Sequence, residues 1–513
     1  MATIAAAVVP HAIGSASTAP TDEADACTAE RVGGSMTFGA GSPVRGLDPT
    51  VALGTGSSGG TELTALYDTL MRYVPETGEY VPHVAESLTS NDDRTEWTLV
   101  LREGVTFGNG DPLTAEAVAF SIERLAASSV SAAGLAAEIE STEVVDESTI
   151  VLHTATPHGQ IPYLLSTEVG MVVNPAVVEE LGDDGFPLAP VGAGVGPYEF
   201  ERWVPNEEIV FTAKDDYWGG PVCIETLRII DNPDGRVLLD AMRNGELEML
   251  FLSDPRLIAD ARELDLELYS DIGGSSGVFL LNHRETATTA DPRVRQAFAM
   301  AVDPELIVER VTGGTARAAS SIVDDEQAIS PGITGPSYDP EAAAALVEEA
   351  KADGWDGSLN LVCNNAPGQV ELALTTEGLL EAVGFDVTVE NLPYNDWAQR
   401  WSADFTYDAA CYGLIVFDSG PLARLNQFAS DSPRNRTGIA DEAMDAALDA
   451  LQAAETSDET VAAMADIQTA WNETLPMASV YAADWFIGAS SDLRGVVPTR
   501  DVVVMLHDAY LER

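Results

Sequence analysis

The chain has 513 residues, 45% of them hydrophobic, and carries 83 acidic side chains against 26 basic ones, a formal net charge of −57. That length exceeds one simple core and predicts two or three folding units. The charge excludes nucleic acid as a partner, because phosphate binding needs clustered Lys and Arg. Only Lys214 and Lys351 are lysine, and the acids are spread along the chain. They describe a solvated anionic surface that keeps a protein soluble and monomeric, as in secretion into a saline medium. No apolar run approaches the roughly 18 residues of a membrane span.

Residues 1–32, rich in Ala, Ser, Thr and Asp, read as export sequence and linker. The stretch from Met1 to Pro10 lacks the basic start of a secretory signal, and its apolar part is short. Cys27 invites a lipid anchor, although Asp25 before it is out of place in a lipidation motif. A first strand begins near Gly33–Phe38, and Leu47-Asp48-Pro49 and a Gly/Ser loop lead to a helix expected over 62–72. Gly54, Gly56 and Gly59 match GxGxxG, but no hydrophobic strand precedes them as a dinucleotide fold requires. Two GxSxG matches, around Ser58 and Ser275, lie in Gly/Ser-rich loops and lack the strand–turn–helix of a nucleophile elbow.

In Glu96–Arg102 the alternation of Trp97, Leu99 and Leu101 against Thr98, Val100 and Arg102 predicts a half-buried strand. Gly108-Asn109-Gly110-Asp111-Pro112 supplies turn chemistry. Thr114 caps a helix whose Ala115, Val118, Ile122 and Leu125 form one apolar stripe. Two short strands follow, over 142–145 and 148–153. His153 and His158 are five apart with a proline between them, a poor spacing for a metal pair. A helix is expected over 236–245 and a strand over 246–251. Asp291-Pro292 and Asp303-Pro304 each place a capping side chain before a proline at the first helical position. From Tyr338 the order is helix 340–352, strand 359–364, helix 369–383, strand 385–391, helix 395–403 and strand 407–416. Strands alternating with helices imply a mostly parallel, helix-covered sheet. Acidic helices over 441–454 and 458–473 precede a strand at 475–481.

Several of these stretches, taken in order, resemble one family. They are Leu47-Asp48-Pro49, Tyr67-x-x-Leu70, Trp97 with Leu101-Arg102-Glu103-Gly104-Val105, and Phe107, Gly110 and Pro112-Leu113-Thr114-Ala115. Gly196-Pro197-Tyr198, Asp216-Tyr217-Trp218 and Arg293-Val294-Arg295-Gln296-Ala297 continue the series. The chain resembles the extracellular solute-binding proteins of the oligopeptide/dipeptide class (family 5), the capture subunits of ABC importers. The resemblance implies an α/β, two-lobed periplasmic-binding-protein-like fold (class II type), with lobe 1 from 33–275 plus 480–513 and lobe 2 from 276–479. Two crossing segments, near 273–279 and 476–481, would form the hinge. It also implies a small-molecule or peptide ligand, a permease with its ATPase as partners, a monomer and an extracellular or periplasmic location. No cofactor or metal is implied, since the cysteines form no CxxC and no His is spaced for zinc.

An exported chain permits disulfides. Cys363 and Cys411 lie in strands of the same lobe, Cys27 precedes the first strand and Cys223 precedes Leu227–Ile230, so the expected pairs are Cys27–Cys223 and Cys363–Cys411.

In the family the strand at 407–416 and the loop after it face the ligand. Peptide binders read Gly-Trp-x-x-Asp-x-x-Asp-Pro there, with the first Asp pairing the peptide amine. Here the stretch is Gly413-Leu-Ile-Val-Phe417-Asp418-Ser-Gly-Pro421. Phe417 occupies the amine-pairing position, Asp418 stands one step along, and Leu414 replaces the Trp. A desolvated ammonium needs a carboxylate, so either Asp418 turns inward or the ligand lacks a free α-amine. The backbone of Gly413–Val416 suits strand addition by an extended ligand. Tyr412, Trp397 and Trp485 are candidate cleft aromatics, Arg424 a candidate carboxylate fork, and Ser57 and Ser58 candidate loop contacts. The expected function is reversible capture and delivery of a solute. A secreted hydrolase, or a ligand sensor on the same scaffold, are the alternatives.

Overall fold

The computed structural model describes residues 27–512, apart from 53, 57, 129, 130, 206, 233, 272 and 274. Two large sheets organise it. The first has seven strands in the order Leu266–Asp271, Trp485–Ser490, Met249–Leu252, Ser35–Ala40, Thr226–Asp231, Glu208–Ala213, Tyr198–Val204. Ser35–Ala40 runs parallel to both of its neighbours. Phe38, Leu227, Ile229 and Met249 are fully buried in the core beneath it.

A smaller antiparallel sheet, Ala85–Ser90, Glu96–Leu101, Thr149–His153 and Ser141–Val144, belongs to the same half of the molecule. Trp97, Leu99 and Leu101 all face inward, as their alternation demands. They meet Val118, Ile122 and Leu125 of the helix Ala115–Ala126. That helix starts where the Thr114 hydroxyl accepts from the Ala117 amide at 3.3 Å. Each such large apolar side chain contributes roughly 1.5–3 kcal/mol by leaving water.

The second half is built on six strands in the order Arg317–Ala318, Met477–Ala482, Ser275–Leu281, Ala409–Tyr412, Ser358–Asn364, Asp386–Leu392. Ser358–Asn364 pairs in parallel with both Asp386–Leu392 and Ala409–Tyr412, the helix Pro367–Ala382 making the first crossover. The Asp-Pro starts behave as expected: Asp291 and Asp303 accept from the amides two residues on, at 2.8 and 3.1 Å.

Both expected disulfides form, Cys27–Cys223 and Cys363–Cys411, with Cα separations of 5.7 and 4.9 Å. The second joins neighbouring parallel strands one step beyond the pairs Leu361↔Ala409 and Val362↔Ala410.

Three expectations need correction. The six-stranded sheet is mixed and not mostly parallel, because Ser275–Leu281 pairs antiparallel with both Met477–Ala482 and Ala409–Tyr412. The helix expected over 62–72 spans Gly60–Tyr67 and stops because Asp68 turns left-handed, φ 52°. There the Asp68 carboxylate accepts from the Tyr217 hydroxyl at 2.8 Å, and Met71–Val74 continues as a strand. The strand expected over 407–416 pairs only across Ala409–Tyr412.

The chain passes between the two large sheets twice: from Leu266–Asp271 to Ser275–Leu281, and from Met477–Ala482 to Trp485–Ser490. The crossings are clasped together. The Ser276 hydroxyl donates to the Ala483 carbonyl at 3.0 Å and accepts from the Ala483 amide at 2.9 Å.

Candidate functional site between the lobes

Beyond Tyr412 the chain leaves the ladder and runs between the two halves. Its side chains alternate between them. Leu414 and Val416 are buried in the second lobe's core, whereas Phe417 is buried in the first lobe's core with Ile415 packed against it. Extended backbone places successive side chains on opposite faces, so this one segment lines both walls. The Phe417 ring meets Trp485 edge-on at 5.3 Å, and Trp485 meets Phe251 edge-on at 5.6 Å. Phe417 is only 1% exposed. Its apolar ring supports the wall here.

Asp418 is committed to the second lobe. Its carboxylate accepts from the amides of Ala328 at 3.1 Å and Ile329 at 3.3 Å. Burial raises its pKa above the ordinary carboxylate value, and those two amides oppose the rise. Gly413 is exposed, and Tyr412 is half-buried with its hydroxyl 3.4 Å from Gln427 Oε1. Trp397 is buried, donating its indole N–H to the Cys411 carbonyl at 3.2 Å. Arg424 projects from the short helix Pro421–Leu425, close enough to Tyr163 of the first lobe to act on its hydroxyl. Ser58 is partly exposed in the Gly/Ser loop; Ser57 lies outside the described residues.

The glycines of that loop answer to close packing. Gly54 N–H donates to Glu168 at 2.6 Å, and its carbonyl accepts from Arg500 Nη2 at 3.1 Å. Gly56 N–H donates to the Asp501 carbonyl at 3.1 Å, and a Cβ at Gly56 would lie 2.3 Å from the Val502 carbonyl oxygen. Arg500 is fully buried and paired with Asp501 at 2.7 Å. Asp501 and Val502 are both left-handed, φ 53° and 58°. From the second lobe, Ser419 Oγ donates to Asp501 Oδ1 at 3.3 Å, and Tyr80 donates to the Ser419 carbonyl.

A separate set of contacts holds the lobes together at the end of the helix Glu442–Ala453. Arg94 of the first lobe pairs with Glu455 at 2.7 Å and donates to the Ala453 carbonyl at 2.6 Å. Gly159 N–H donates to the Gln452 carbonyl at 2.9 Å, and Gln160 Nε2 to Ala454 at 2.7 Å. A cation at a helix C-terminus answers the exposed carbonyls there.

Three residues missed in the sequence gather near Tyr412: Arg434, Arg436 and Trp401. The available signal was local. Residues 424–436 hold three of the chain's 26 basic side chains and one acid, Asp431. Also missed were Glu62 and Asp231 in the first lobe. Glu62, 2% exposed, and Asp231 at the end of its strand have carboxylate oxygens without hydrogen-bond partners among the described residues. Burial raises their pKa values to about 8 and about 6.

A two-lobed body crossed twice by the chain, with an extended segment lining both walls, defines a solute-binding fold. Residues 79–436 match the profile of the bacterial extracellular solute-binding proteins, family 5 (middle region), and the chain belongs to that family. It is 26% identical to a putative ABC transporter peptide-binding protein of Brucella ovis, over 93% of this chain and 92% of the relative. Among solved structures it is similar to the Helicobacter pylori periplasmic binding protein DppA in complex with the peptide STSA: TM-score 0.77, 20% identity, 94% of this chain and 99% of that one. NikA of Brucella suis in complex with Fe(III)-EDTA is comparably similar: TM-score 0.77, 21% identity, 94% and 100%. The family is one of extracellular or periplasmic solute-binding proteins. Among the described residues no helix is long and apolar enough to cross a membrane.

Proposed function

We propose that the chain captures a peptide or peptide-like solute between its lobes and delivers it unchanged to a membrane permease and its ATPase. The observation that carries this is the segment at 413–417. It lies outside any strand, walls both lobes and offers extended backbone for strand addition by an extended guest. The peptide named for the Brucella relative supports the ligand class. The two crossing segments serve as hinge, by absorbing rotation in a few residues while lobes 33–275 plus 480–513 and 276–479 stay rigid. Ligand bridging both lobes would shift the population toward closure. A change from 1:99 to 99:1 needs roughly 5.5 kcal/mol of differential affinity, and a micromolar binder supplies about 8 kcal/mol in total.

The test is mass spectrometry of the solute that co-purifies, followed by calorimetry with that solute and small-angle scattering. A guest bound with micromolar affinity, recovered intact, and compaction on binding are expected. Turnover of the bound solute would refute the carrier role and favour a hydrolase.

A further inference from the structure

Arg424 and Arg434 lie near the first-lobe groups Tyr163 and Glu138, and Arg436 lies near Arg434. Arg434 is the centre: the charges that act on it are those of Arg436, Glu138, Tyr412 and Arg424. Its guanidinium donates to Asn426, and Arg436 lies over the Trp401 ring at 4.9 Å. Trp401 in turn meets Tyr412 edge-on at 5.0 Å and Trp397 at 5.3 Å. Among the described residues, none of the three arginines has a carboxylate within 4.0 Å. This is so in a chain with 83 acids and 26 bases.

Among the described residues, two donors in the cluster have no acceptor and are shielded from water: Arg436 Nε and the Trp401 indole N–H. A buried donor left unpaired costs roughly 1–3 kcal/mol, more when charged. Three like charges drawn together add repulsion that only a counter-charge relieves. Glu138 of the first lobe is an acid whose charge acts on Arg434, and it already holds the His158 ring nitrogen at 2.5 Å. With no carboxylate of the described residues within 4.0 Å of any of the three, the cluster keeps an excess of positive charge.

We infer that this cluster is a subsite for a ligand bearing two carboxylates, and that the solute is an acidic peptide, with Arg434 and Arg436 forking one carboxylate and Arg424 reaching the other. This rests on the solute-capture reading and names the ligand's charge. Guanidinium forks match carboxylates in a bidentate way, and the Trp401 face holds Arg436 in place by cation–π attraction. Tyr412, at the end of its strand, sets the subsite beside the extended segment 413–417. The Asp418 carboxylate, held by two amides, leaves the arginines as the dominant charge along that segment.

The test is calorimetry on the full chain at fixed salt. The probes are Ala-Glu-Glu, its neutral counterpart Ala-Gln-Gln with an amidated C-terminus, and glutarate. The acidic peptide is expected to bind at least tenfold more tightly than the neutral one. In Arg434→Gln and in Arg436→Gln, each checked for folding by circular dichroism, that preference should shrink at least tenfold. Equal affinity for both peptides in the parent chain, or a preference that survives both substitutions, overturns the inference even if neither variant alone folds well. Glutarate binding as tightly as Ala-Glu-Glu would overturn the peptide assignment. Binding of neutral peptides alone would sink this inference and leave solute capture standing, whereas no binding of any peptide, together with a co-purified solute that is turned over, would sink both.

Discussion

Asp484, on the second crossing segment, pairs through Oδ1 with Arg317 of the second lobe at 2.9 Å, while Oδ2 holds Arg262 of the first lobe at 2.6 Å. The carboxylate is 9% exposed. Removing its charge takes one ion-pair partner from each guanidinium at the junction, though Arg317 keeps Asp324 at 2.6 Å. Asp484→Asn should therefore lower stability by about 1–3 kcal/mol. Urea denaturation followed by intrinsic fluorescence reads this, and an unchanged midpoint would show that the pairings are dispensable.

The contacts at the end of Glu442–Ala453 should set how readily the lobes part. A Cβ at Gly159 would stand 2.1 Å from the Ala454 carbonyl oxygen, backbone that cannot swing aside. Gly159→Ala is expected to push the lobes apart, raising the radius of gyration in scattering and weakening the co-purifying solute about tenfold. Arg94→Ala, which removes the pair with Glu455 and the donor to Ala453, should act in the same direction with a smaller effect. An unaltered scattering curve for both variants would place closure under other control.

Glu62 gives a pH signature. Its pKa rises from 4.5 to about 8, chiefly by burial and secondarily through Asp231. A folded-state pKa above the unfolded one gives stability that is full below pH 4.5 and is lost as pH rises through about 8. Glu62→Gln should therefore change little at pH 5 and be more stable than the parent at pH 9, by roughly 5 kcal/mol. Chemical denaturation at the two pH values checks the sign. Equal differences at both would mean that Glu62 ionises freely in the fold.

The disulfides should contribute unequally. Cys27–Cys223 spans 196 residues and Cys363–Cys411 spans 48. Chain-entropy reasoning assigns about 5 kcal/mol to the longer loop and about 4 to the shorter. Replacing Cys27 and Cys223 together by Ser should lower the melting temperature more than the same change at Cys363 and Cys411. The reverse order would mean that local packing between the parallel strands outweighs loop closure.

Much of the scaffold was legible because local signals agreed with each other. Trp97, Leu99 and Leu101 alternate, Thr114 caps, and the helix expected over 340–352 spans those residues in the structure. Proline after aspartate fixed two further helix starts. The helix at Gly60 ended early because Asp68 is drawn to Tyr217, a partner 149 residues away that periodicity does not register. The strand at Ala409 ended early for a similar reason: Ile415 and Phe417 leave the second lobe's sheet for the first lobe's core. Of the candidate site, the segment 412–418 was found through its resemblance to a family pattern. The orientation of Phe417 and the amides that hold Asp418 are tertiary facts. Arg434, Arg436 and Trp401 were overlooked because loop residues have no period, and their proximity exists only in the fold.

The strand Trp485–Ser490 lies inside the seven-stranded sheet, between Leu266–Asp271 and Met249–Leu252. A ribosome or an export channel therefore releases this element only after the whole of the other lobe has emerged. Until it arrives, two edges with no intervening partner stand open, and open edges recruit neighbouring chains. Successful maturation then depends on Trp485–Ser490 reaching its slot before another molecule does.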